Sequence, residues 1–243
     1  MNRLMLSCLA LFVALSLAAS PAHATCSNAT MTGVWGYFVG SSIGQFTADG
    51  LGNITNGTQT TSSAGVISTQ SFTGTYSIGT KCTGSVTLTY SNGGGTITAN
   101  IVLNNGNKSA QIIGTQAGKV SSGFAAAQGT VTCGLTGVKK TLAANIFGKF
   151  WSSGASVAYV AQIILNGKGT VSGSGTFDNN GTFTFPATIP GTYTETSTCT
   201  GTITMTPAGY STLNFNFVVV NSGKELLVFE TDNNTDIGGT LQQ

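Results

Sequence analysis

The segment GTYSIGTKCTGSVTLT at residues 74–89 returns at residues 191–206 as GTYTETSTCTGTITMT, with eight of sixteen positions identical and an offset of 117 residues. A repeat of that length is far too long for one coil of a solenoid, so it marks a duplicated domain in which each copy closes its own core. The same offset carries Asp49-Gly50-x-Gly52 onto Asn166-Gly167-x-Gly169 and Asn105-Gly106 onto Ser222-Gly223. Between these anchors the apolar alternation slips by one: Ile97, Ala99, Ile101 and Leu103 correspond to Leu213, Phe215, Phe217 and Val219, an offset of 116. A one-residue bulge in one copy would restore the facing of the side chains.

Inside the repeat, Val86, Leu88 and Tyr90 alternate with Ser85, Thr87 and Thr89, and Ile203 and Met205 alternate with threonines. A period of two is a strand with one buried and one wetted face. Short runs of this kind follow one another to the end of the chain, separated by Asp49-Gly50, Asn56-Gly57, Asn92-Gly93, Asn105-Gly106, Asn166-Gly167 and Asn180-Gly181, each a candidate for a tight hairpin. The first copy reads as strands over 33–39, 43–48, 52–59, 67–78, 84–90, 95–103, 108–115 and 119–127. The second reads as 148–153, 157–165, 169–176, 181–194, 201–206, 211–220, 224–231 and 237–242. Pro186, Pro190 and Pro207 are expected at strand edges or in loops. The fold class is therefore all-β, two tandem antiparallel domains of about eight strands each. Up-and-down, calycin-like barrels fit best, with a β-sandwich as the alternative. Residues 138–146 read as a turn or two of helix between the copies. The organisation expected is a signal peptide over 1–24, a first β domain over 25–131, a linker over 132–147 and a second β domain over 148–243.

The leader is read from Arg3, the apolar stretch 4–17 and Ala22-His23-Ala24. No later run reaches the roughly 20 apolar residues of a membrane span, so a secreted protein of periplasm, cell surface or medium is expected, without a transmembrane segment in the mature chain. Cys8 falls in the leader and leaves Cys26, Cys82, Cys133 and Cys199. An even count in an oxidising compartment implies two disulfides. The duplication favours Cys26–Cys82 and Cys133–Cys199, one per copy, each contributing about 4 kcal/mol by the loop-entropy model. Only 7% of residues are charged, against about 25% in ordinary domains. With a net charge of +2 and no basic run, nucleic acid is not an expected partner.

The run GQFTADGLGNITNG at residues 44–57, followed by FTGTYSIG and CTGSVTLT, resembles a group of exported bacterial proteins built from tandem all-β repeats with G-x-F-x-A-D-G-x-G-x-I and G-T-Y-x-I signatures. These are scaffold motifs of glycines and strand residues. The resemblance implies the fold and carries over no catalytic residue, and the second copy departs from it with Asn166 in place of the aspartate.

Chemistry-bearing residues are scarce. His23, the sole histidine, lies in the leader, which closes triads and histidine general-base schemes. Asp49, the one carboxylate of the first copy, is accounted for by its turn. Glu230 and Asp232, two apart, face one side of a strand as it runs into a turn. Asp232, Asn234 and Asp236 occupy positions 1, 3 and 5 of a calcium-loop opening, but Ile237 replaces the glycine at position 6, and a polar turn is the simpler reading. Trp35, Tyr37, Phe150 and Trp151 are candidate ligand contacts; these rings, with Phe38, Phe46, Phe215, Phe217 and Phe229, are otherwise expected to fill the barrels. The function expected is a non-enzymatic, surface-associated structural or interaction protein without cofactor, able to self-assemble through strand edges. The alternative is a carrier barrel for a small apolar ligand or glycan.

Overall fold

The computed structural model describes residues 25–104, 106 and 108–243; the leader expected over 1–24 and Asn105 lie outside them. β1 (Gly33–Val39), β2 (Ser42–Ala48), β3 (Asn53–Ser63), β4 (Val66–Ile78), β5 (Thr83–Tyr90), β6 (Thr96–Asn104), β7 (Ser109–Gly114) and β8 (Ser122–Ala127) pair in sequence order. β8 returns to β1, Trp35 opposite Ala127, and closes an antiparallel barrel.

The second barrel runs through β9 (Lys140–Phe150), β10 (Ser156–Leu165), β11 (Thr170–Asn179), β12 (Thr182–Thr188), β13 (Gly191–Glu195), β14 (Thr200–Met205), β15 (Leu213–Val220), β16 (Glu225–Glu230) and β17 (Thr235–Gln242), with β17 returning to β9. It has eight staves, because β12 and β13 are two halves of one. β11 pairs with β12 over Ser174–Asn179 and with β13 at Thr170 and Val171. The single strand expected over 181–194 breaks at Ile189-Pro190, where proline has no N–H for the ladder.

Three other expectations are corrected. Lys140–Phe150 is a strand, so residues 138–146 form no helix and the connection ends at residue 139. Here Leu142, Ala144 and Ile146 alternate into the core with a period of two. The ladders β5–β6 and β14–β15 carry no register shift, so no bulge compensates the change of offset. Gly84 faces Ile101 while Gly201 faces Phe217, which makes the second hairpin one residue shorter in its connection. Finally, Asn56-Gly57 is no hairpin but a bulge inside β3, between Ile54 and Gly57, with Asn56 at φ 52°.

The repeated motif is a structural unit. Tyr76 and Tyr193 accept the N–H of Gly50 and Gly167, each at 2.9 Å, and donate to the carbonyls of Asn28 and Leu135 at 3.1 and 2.9 Å. Each phenol thereby ties the glycine turn to the segment that plugs one end of its barrel. Disulfides Cys26–Cys82 and Cys133–Cys199 fasten the same plugs.

Asp49 organises the first glycine turn: its Oδ1 accepts the N–H groups of Leu51, Gly52 and Asn53, and its Oδ2 the amide of Asn53. These bonds, the Asn53 side chain foremost, hold its carboxyl down at about 2. The folded value lies below the unfolded 3.8, so this contribution is present above pH 4 and lost as pH falls toward 2. D49N is expected to flatten the acid limb of the melting temperature between pH 4 and 2. Melts of equal slope in both proteins would assign the acid sensitivity elsewhere.

The barrels are packed side by side. Ile43, Phe38, Ala126 and Phe124 of the first meet Val218, Val220, Leu227 and Phe229 of the second in a separate apolar cluster. Phe38 and Phe229, expected inside the barrels, therefore point outward into this seam, their rings 6.2 Å apart. Gly36 permits the approach, since a Cβ there would stand 2.6 Å from Val220. Around the apolar centre, Gln128 Nε2 donates to Val219 O and Asn216 Nδ2 to Thr60 Oγ1. Ser41 Oγ donates to Asp236 Oδ2 at 2.7 Å, Ser62 Oγ to Thr235 O at 2.6 Å, and Asn234 N to Gly65 O at 2.7 Å.

Candidate functional site

The two barrels differ in what they enclose. The first holds a cavity of about 720 Å³, within the range of small-molecule sites, roughly 300–1,000 Å³. One end is shut by the plug around Met31 and the Cys26–Cys82 disulfide; the other is rimmed by Gly40, Ser41, Ser63, Gly94 and residues 119–121. Its wall is apolar on the side of β5 to β8, with Val86, Leu88, Ile97, Ala99, Ile101, Ala110, Ile112 and Ala125.

The ladders give the equivalent positions of the second barrel. Ala99 pairs with Gly114 as Phe215 pairs with Glu230; Leu103 pairs with Ala110 as Val219 pairs with Leu226; Ala110 pairs with Ala125 as Leu226 pairs with Leu241. Ala99, Ala110 and Ala125 thus stand where Phe215, Leu226 and Leu241 fill the second barrel, each of the latter no more than 1% exposed. Its outer end is closed by Tyr159, Phe177 and Tyr210, with centroids 4.6 and 5.1 Å apart in succession.

The opposite wall of the cavity is polar. Tyr37 and Tyr90 both donate to Gln59 Oε1, at 2.7 and 3.0 Å, and Gln59 Nε2 donates to Thr61 Oγ1 at 2.6 Å. Thr61 shares a hydrogen bond of 2.9 Å with Ser42, and Gln70 lies directly across from Gln59. Burial raises the pKa of Tyr37 well above its usual range, Tyr90 adding to it, and burial raises Tyr90 as well. Both are neutral phenols at any physiological pH. Gln59 and Thr61 face inward because the Asn56-Gly57 bulge reverses the alternation begun by Ile54.

The four aromatic candidates are not brought together. Tyr37 lines the cavity. Trp35 is buried in the same core, its indole N–H donating to Met31 O at 3.0 Å, and is absent from the cavity wall. Phe150 packs against the second core, and Trp151, 39% exposed, lies in the turn after β9 under the Lys149 ammonium. The calcium candidates are engaged separately: Asp232 accepts the N–H and amide of Asn214, Asp236 accepts Ser41 Oγ, and Asn234 meets Gly65 through its backbone. Among the described residues no group of three or more metal-binding side chains converges.

Glu230 and Asp232 do come together, at the filled end of the second barrel. Glu230 is 1% exposed and its Oε2 has no hydrogen-bond partner. Burial first, then the charge of Asp232 and a hydrogen bond to it, push Glu230 up to about 8. Tyr159 faces the pair and is itself raised, by burial and then by Glu230. The lining of the first barrel's cavity contains neither carboxylate.

Among the described residues no helix is long and apolar enough to cross a membrane. No protein-family model matches the chain, and the searches of curated proteins and of solved structures return no match either.

Proposed function

We propose that the protein is an exported, non-catalytic carrier, in which the first barrel receives a small, mainly apolar molecule and the second is a filled partner that supports it. One observation carries this reading: three alanines line the first cavity at the positions where the second barrel packs Phe215, Leu226 and Leu241. Duplicated barrels begin alike, and the filled copy is the stable solution for such a core. An unfilled 720 Å³ forgoes packing at every wall atom, a cost that a bound molecule would offset. Export is supported by two disulfides in a weakly charged chain. Assembly through strand edges, the other role expected from the sequence, would need edges that the closed ladders occupy.

Native mass spectrometry of the protein recovered from the secreted fraction of its own cells tests the reading. The parent is expected to carry an adduct of small mass. The triple variant A99F/A110L/A125L, which writes the second barrel's own packing into the first, is expected to lose it. Each methylene buried adds about 0.8 kcal/mol, so the empty variant should also melt several degrees higher. Parent and variant alike in adduct would sink the carrier reading.

A further inference from the structure

The cavity's hydrogen-bonding groups restrict what it can hold, an inference that rests on the carrier reading. We propose that the first barrel takes an uncharged molecule with an apolar body and at least one hydroxyl or N–H donor, received by the phenolic oxygens of Tyr37 and Tyr90. Both phenolic protons are directed to Gln59 Oε1, and an amide oxygen has two lone pairs, so that acceptor is full. Gln59 Nε2 gives one of its protons to Thr61 Oγ1, which shares a hydrogen bond with Ser42 Oγ. Each phenol has spent its single proton on Gln59, so the valences left on the two phenols are lone pairs. A ligand donor completes them. A ligand lacking one displaces the water that would otherwise serve those oxygens and leaves two buried acceptors unpaired, which sites of this kind discriminate against strongly.

Charge is selected against on separate grounds. Lys119, on the rim, is the one charged side chain of the cavity lining. A carboxylate or ammonium inside would be desolvated without a counter-charge. The wall from Leu88 to Ile112 supplies the apolar contact, with the rings of Phe46 and Tyr37, centroids 6.0 Å apart and tilted to one another, beside it.

The experiment is isothermal titration of the full, oxidised protein with three probes of one shape: 2-naphthol, 2-methylnaphthalene and 2-naphthoate. The naphthol is expected to bind at least about tenfold more tightly than the methyl analogue, and the naphthoate most weakly. In the double variant Y37F/Y90F the rings remain while the acceptors go, so affinity for 2-naphthol should fall to that for 2-methylnaphthalene, which should still bind. Equal affinities for those two probes in the parent, or a preference that survives in Y37F/Y90F, would overturn the donor assignment and leave the carrier reading standing. Tightest binding of the naphthoate would overturn the exclusion of charge. Failure of all three probes to bind would overturn the carrier reading as well.

Discussion

Replacing Phe229 by aspartate is expected to uncouple the two barrels, turning one cooperative thermal transition into two. Phe229 is fully buried, yet its side chain leaves β16 on the outer face, against Phe38 of the other barrel. Val228, its neighbour, points into the second core. Loss of a buried phenylalanine costs about 3–5 kcal/mol, and a carboxylate sealed into the apolar seam adds several more. The protein avoids that sum by parting the seam, which wets the aspartate and leaves the interior of barrel two as it was. Scanning calorimetry should resolve a lower transition for barrel one from a nearly unchanged one for barrel two. F229A, without the charge, should shift the single transition downward and only begin to split it. A single, unshifted transition in F229D would mean that the seam contributes nothing to either barrel's stability.

A second large effect depends on pH. Glu230 titrates near 8 in the folded protein against an ordinary 4.5, so between those values the native state holds a proton that the unfolded chain has released. Stability therefore declines as pH rises from about 4.5 to about 8 and stays low above it. E230Q removes the titration and supplies an amide hydrogen to Asp232 in place of the shared proton. At pH 5 the variant should match the parent. By pH 9 it should exceed it on the order of 3 kcal/mol, or roughly 10 °C for a chain of this size. Thermal melts across that range decide the matter, and a parallel decline in both proteins would place the sensitive group elsewhere.

Much of this architecture is legible in the residues. The repeat, the period-two runs and the turn pairs lead to two closed antiparallel barrels, and the duplication leads to the two disulfide pairings that the structure contains. The site is less legible, because its polar wall depends on the bulge at Asn56-Gly57. Alternation counted from Ile54 would turn Thr58 and Thr60 inward; the extra residue puts Gln59 and Thr61 there and sends Thr60 to the seam with Asn216. An Asn-Gly pair has the same local preference in a bulge as in a hairpin, and only the partner strand decides which forms. The seam itself had a signal. Phe217 to Val220 and Leu226 to Phe229 are continuous apolar runs, the pattern of strands buried on both faces, whereas their counterparts in the first copy, residues 101–104 and 110–113, are interrupted by Asn104 and Gln111. Likewise the one-residue slip already sets Ala99 against Phe215, but only the ladder shows that the small residue borders a void.

If the first barrel is the carrier proposed, the contacts of Ser41, Ser62 and Gly65 with the segment 234–236 bear on how fast it would exchange a bound molecule. Two of the four hairpins around the mouth, β1–β2 and β3–β4, are stapled to the neighbouring barrel. The connections 91–95 and 115–121 are secured by bonds within their own barrel, such as Tyr90 N to Gly95 O and Gln116 Nε2 to Thr96 O. In a carrier of the kind proposed, passage of a molecule would thus fall to the latter pair, and the rate of escape would be set on that side of the rim. Residence time and affinity would in this way depend on different parts of the chain: the first on the connections 91–95 and 115–121, the second on the interior wall. Substitutions deep in the wall, at Leu88 or Ile101 for instance, would then alter affinity without touching the loops that govern exchange.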